Sequence, residues 1–144
     1  VVVGLAWALG WSSPAAAQIV RLTVPVTTDA NGDVTVQTRT VFGVVLAVRY
    51  VPDVTSPLDT GADITITAEQ SGLPILTITN LGTSAVQSYP RAATATVLNA
   101  AALYAAGGTA VLDRIPVADE AVTVVVADGG NAKLGTFYLY LEGR

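Results

Sequence analysis

"AVTVVVADGGNAKLGTFYLYLEG", Ala121 to Gly143, decides the fold class. Two stretches rich in β-branched and aromatic residues flank a loop from Asp128 to Gly135, which reads as two strands. In the second stretch Phe137 and Leu139 fall on one face and Tyr138 and Tyr140 on the other, because side chains alternate along a strand. A strand apolar on both sides is either central in a sandwich or partly covered by a partner.

Working outward, Asp63 to Ala68 and Ile75 to Thr79 alternate about the turn "SGLP" and predict a strand pair. Val41 to Val51, "VFGVVLAVRYV", is more continuously apolar; it suits a strand buried on both faces, with Gly43 as a bulge. Ile19 to Thr27 and Val34 to Thr40 flank "TDANGD", and Asn31-Gly32 there supplies the positive φ angles of a tight hairpin. Pro90 interrupts the next stretch. "NAAALYAAGG", Asn99 to Gly108, predicts the one short helix, capped by Asn99 and stopped at Gly107. The expectation is an all-β, single-domain jelly roll or β-sandwich of about eight strands over residues 19–144, preceded by an apolar N-terminal arm, residues 1–18. No fixed-period repeat or Pro/Ser-rich linker divides it.

At 144 residues such a domain buries roughly 68–70% of the surface of its unfolded chain. The chain has neither cysteine nor histidine, which excludes disulfides, thiolate chemistry, Ser-His-Asp and Cys-His catalysis, and most zinc sites. Seven cations are scattered singly against eleven anions, a net charge of −4 that lacks the basic stripe of a nucleic-acid binder. Only 12% of residues are charged, whereas well-behaved small domains carry about 25–35% charge on their surface. Part of this surface is therefore expected to be covered by something other than water.

The arm carries no charge from Val1 to Gln18. Its apolar run to Trp11, followed by Ala15-Ala16-Ala17, resembles a secretory signal but lacks the positively charged start. About 11 apolar residues are too few to span a bilayer, so no membrane partner is expected. Both tryptophans of the chain lie here, and aromatic anchors are enriched at protein interfaces. Leu5, Trp7, Leu9 and Trp11 are the candidate subunit-interface residues, with packing on the arm's own domain and a retained signal-like segment as the other readings.

Two motifs invite catalytic readings. "LDTGAD", Leu58 to Asp63, matches the Asp-Thr-Gly of aspartic proteases, which need two carboxylates about 3 Å apart and so, here, a symmetric dimer. Asp59 follows a turn with prolines at 52 and 57 rather than an unbroken strand, which favours a turn role. "GGNAKLGT", Gly129 to Thr136, has the glycine spacing of a phosphate-binding loop, but Thr136 stands where lysine is required and the sequence beyond reads as strand. Lys133 is then a solvated tip charge. The pairs Asp29/Asp33, Asp59/Asp63 and Asp119/Glu120 match no calcium loop and read as turn residues. No catalytic residue, cofactor or metal is expected.

"PLDTGADITITAEQSGLPIL" (Pro57 to Leu76), Tyr89-Pro90-Arg91 and "ALYAAGGTAVLDRIPVADEAVTVVVADGGNAKLGTFYLYLEG" (Ala102 to Gly143) resemble a group of small bacteriophage virion proteins. The resemblance implies a non-enzymatic decoration, or cement, protein of jelly-roll type on the outer surface of the capsid. Its partners would be the major capsid protein and other copies of itself, a dimer being the commonest closed form. The alternatives are another virion component (tail, fibre or head-tail joining), a secreted bacterial β-sandwich binding protein, and a dimeric aspartic protease using Asp59.

Overall fold

The computed structural model describes residues 17–143. The expected interface residues Leu5, Trp7, Leu9 and Trp11 therefore lie outside the described residues. In chain order the strands are β1 Gln18–Thr27, β2 Val34–Gln37, β3 Val41–Pro52, β4 Ala62–Ala68, β5 Pro74–Leu81, β6 Val86–Ser88, β7 Ala92–Ala93, β8 Leu112–Asp113, β9 Ile115–Glu120, β10 Val122–Ala127 and β11 Leu134–Gly143. They form an all-β sandwich of the expected class. One sheet runs β1-β11-β3 and ends in β6 and β9, which both pair with β3; the other runs β2-β10-β4-β5.

Alternation produces the core. Leu22, Val24 and Val26 of β1, Phe137, Leu139 and Leu141 of β11, and Val45, Val48 and Tyr50 of β3 face inward from the first sheet. Ile64 and Ile66 of β4 and Val122, Val124 and Val126 of β10 meet them from the second. Leu58, fully buried in the connection before β4, closes one end of this core. β11 is central, between β1 and β3, which accounts for its two apolar faces.

Several expectations need correction. The stretches at 19–27 and 34–40 are not a hairpin: β1 pairs with β11 and β2 with β10, in opposite sheets. "TDANGD" is a tight turn, with Asp29 N donating to Asp33 O at 2.9 Å and Gly32 at φ 91°, but it turns a corner from one sheet to the other. Val34 and Val36 reach the same core as β1 from the opposite side, and burying both strands requires that crossing. β10 and β11 likewise lie in different sheets, whereas β4 and β5 are the expected hairpin. Gly43 is not a bulge, since it stays in register with Val117; the extra residues are Leu46 against β11 and Asp119, at φ 58°, against β3. β3 is not buried on both faces throughout, because Phe42 and Arg49 are exposed.

The expected helix at Asn99–Gly108 is absent, and no helix occurs among the described residues. Asn99, at φ 58°, instead ends a turn that begins at Thr96, and Gly107, at φ 69°, lies within a second turn from Ala105 to Gly108. A helix this short is marginal without an apolar face to bury, and here Leu103 and Tyr104 are exposed. The strand count rises above eight because β6, β7 and β8 are two or three residues long, below what alternation reveals.

Candidate interaction surface

Three corners cross between the sheets at the same end of the sandwich, and they bring both catalytic-looking motifs together. Asp59 N donates to Gly129 O at 2.9 Å, and Gly129 N donates to Gly32 O at 2.8 Å. Thr28 Oγ1 donates to Gly130 O at 2.5 Å and accepts from Lys133 N at 2.9 Å. The Asp59 carboxylate faces the Lys133 ammonium at 2.9 Å. Gly130, at φ 83°, is required: a Cβ there would stand 2.1 Å from Asp59 Oδ2.

This clasp sets the chemistry of the two motifs. Beside Asp59 stands the Lys133 ammonium, which pairs with its carboxylate. Lys133 is engaged in that pair rather than simply solvated, and the chain after Gly130 enters a strand where a phosphate-binding loop would open a helix. The geometry is that of a corner lock.

Several other carboxylates accept from backbone amides. Asp29 accepts from Asn31 N and Asp33 N, Asp53 from Thr55 N and Ser56 N, and Asp63 from Asn80 N. These amides hold the Asp29 and Asp53 carboxyls below their ordinary range. At the opposite end from the clasp, buried Glu120 accepts from Ser71 N, Gln70 N and Ser71 Oγ at 2.8–2.9 Å, tying the β4-β5 turn to the β9-β10 corner. The Ser71 amide leads in holding its carboxyl below the ordinary value, against the effect of burial. Among the described residues no three metal-ligating side chains come together.

What remains is surface. Between β6 and β9 the chain leaves the sandwich through a gap opposite Leu46 and Ala47, since β6 pairs with residues 48–50 of β3 and β9 with residues 41–45. The lobe so formed, residues 89–114, is held by its own backbone. β7 pairs with β8; Thr94 N donates to Val111 O, Ala102 N to Thr94 O and Val111 N to Ala102 O, all at 2.9–3.0 Å. Residues 92–112 contain no charge, and the lobe bares Tyr89, Val97, Leu98, Leu103, Tyr104 and Leu112. Val97 is 102% exposed and Leu98 86%. Both sit on the turn closed by Thr96 N to Ala100 O at 2.8 Å, so their exposure follows from a backbone fixed by hydrogen bonds.

A second apolar feature lies on the outer face of the first sheet. Phe42 and Ala118 are cross-strand partners, as are Val44 and Pro116, and with Gly43 and Gly143 they line a groove of about 540 Å³. The glycines make it a recess, because a Cβ on Gly43 would meet Glu142 O at 2.4 Å and one on Gly143 would meet Phe42 O at 2.5 Å. Glu142, on its rim, is ion-paired with Arg114.

Sequence reasoning missed both features. The signal for the lobe was present as 21 consecutive uncharged residues, 92–112, but its alanines suggested a helix. The groove had no linear signal, being assembled from three strands. No protein-family model, curated protein or solved structure matches the chain.

Proposed function

We propose that the protein is a non-enzymatic structural component of a bacteriophage virion, a decoration protein that binds and stabilises the shell of the major capsid protein from outside. The observation that carries this reading is the lobe: the sandwich holds out a projection whose residues 92–112 carry no charge, with Val97 and Leu98 clear of their own chain. Exposed apolar patches of this kind mark surfaces covered in an assembly. Support also comes from the resemblance to small virion proteins over Pro57 to Leu76, Tyr89 to Arg91 and Ala102 to Gly143, which takes in Asp59 and Lys133 of the clasp, the lobe outside residues 92–101 and the last three strands. The carboxylates at the turns, engaged by backbone amides, serve architecture, and a cement protein needs no more of them.

The test is binding to purified undecorated capsids, measured by co-sedimentation. The chain pellets with shells and raises the temperature at which they rupture. If it stays in the supernatant at every ratio while remaining folded, the reading is lost.

A further inference from the structure

The groove beside Phe42 opens where the described chain begins. Ala17 lines it together with Phe42, Gly43, Val44, Pro116 and Ala118. The same face continues as a cross-strand row over four strands: Ile19 of β1 stands opposite Glu142 of β11, Glu142 opposite Val44 of β3, and Val44 opposite Pro116 of β9. Ile19, 64% exposed, and Phe42, 63% exposed, leave apolar surface uncovered along it.

Position and length identify the occupant. Sixteen residues precede Ala17, none with a charged side chain, and both tryptophans of the chain are among them. Trp11 is six residues from Ala17, a reach of at most about 20 Å for extended chain. From β1 across β11 and β3 to β9 is three strand spacings, about 14 Å, so the full width of the groove lies within that reach. Exposed Val54, by contrast, lies past the far end of β1, a strand of 10 residues or roughly 33 Å, which is beyond Trp11.

The chemistry fits the same occupant. Residues 1–16 bring no charged side chain, and Glu142 on the rim is already paired with Arg114, so covering the groove strands no unpaired charge. Aromatic side chains gain most from such a recess, and its volume of about 540 Å³ is typical of sites that enclose small organic groups. Because the segment is tethered at the groove, docking is intramolecular, and a contact too weak to hold two molecules together is occupied within one.

We infer that the Trp7–Trp11 segment seats in the groove of its own domain, with an indole against Phe42 and Ala118. The segment is then a cover for the outer face of the first sheet rather than a contact to another subunit. The inference is independent of the capsid reading and is tested on the free protein.

Tryptophan fluorescence reads it directly, since no tryptophan lies elsewhere in the chain. In the full chain the emission is shifted to short wavelength and acrylamide quenches it poorly. Phe42→Asp moves both to the values of a free indole, and Ala118→Glu does the same. Both positions are exposed, so the unfolding midpoint of the sandwich, followed by far-UV circular dichroism, is kept. Phe42→Asp chains are then refolded with an excess of chains carrying Trp7→Phe and Trp11→Phe, whose grooves are intact. The emission stays that of a free indole, because a segment held by its own domain does not cross to another.

Free-indole emission from the unaltered chain overturns the inference. So does shielded emission that both groove substitutions leave unchanged, which places the tryptophans elsewhere. Recovery of shielding in the refolded mixture overturns it as well, by assigning the segment to the groove of a second copy.

Discussion

Asp59 and Gly130 illustrate how a motif can mark a corner. The Asp59–Lys133 pair is partly exposed, and surface ion pairs contribute at most about 1 kcal/mol, so Asp59→Asn should change stability by no more than that in denaturant unfolding. Gly130→Ala should cost more, about 1–3 kcal/mol, because it strains a positive φ and drives a methyl group into the Asp59 carboxylate. A larger loss for Asp59→Asn than for Gly130→Ala would contradict the corner lock. Tyr50 gives a second test at this scale. Its ring is buried against Phe137, centroids 5.1 Å apart, while its hydroxyl is buried with no hydrogen-bond partner. Burial pushes that hydroxyl's pKa up, the Asp53 charge adds to the rise, and the nearby Leu58 backbone opposes it without completing a hydrogen bond. Tyr50→Phe should therefore leave stability unchanged or raise it by about 1 kcal/mol; a clear loss would mean that the hydroxyl is satisfied in solution.

The elements divide into those whose periodicity reports their partner and those whose partner lies far along the chain. β4, β5, β10 and β11 were legible because alternation exposes a strand with one face in a core, and Phe137 and Tyr138 show both faces directly. Pairing was less legible. Asn31-Gly32 specifies a turn, but whether a turn joins neighbours in one sheet or rounds a corner depends on where Val34 and Val36 are buried, information held by β10 some ninety residues later. Asn99–Gly108 was read as a helix because its alanines favour one and Asn99 suits a cap, whereas Asn99 takes a left-handed φ of 58° at the end of the turn that begins at Thr96. The lobe's backbone bonds are largely internal, so replacing residues 92–113 by a short Gly/Ser turn should leave the sandwich folded, with near-native far-UV circular dichroism and cooperative unfolding, while removing shell binding. Loss of the β signal would show that the lobe is part of the core.

For the molecule as a whole, two locked ends enclose one core. The clasp holds the three corners, and Glu120 holds the β4-β5 turn at the other end. Glu120's carboxyl is depressed below its ordinary value near 4.5 in the folded protein. Its contribution is thus fully present above that ordinary value and is lost as pH falls through the folded one; Asp29 and Asp53 act in the same direction below about 3.8. With no histidine to titrate, the unfolding midpoint should be flat across neutral pH and fall in acid, and Glu120→Gln should make that fall shallower. A midpoint that rises on acidification would contradict the assigned sign. The central claim, that this surface exists to be covered on a capsid, is tested most directly by the copy number of the chain in purified particles, counted by quantitative mass spectrometry against the major capsid protein. A near-equimolar ratio is the predicted result. A ratio of a few copies per particle, or none, would contradict it.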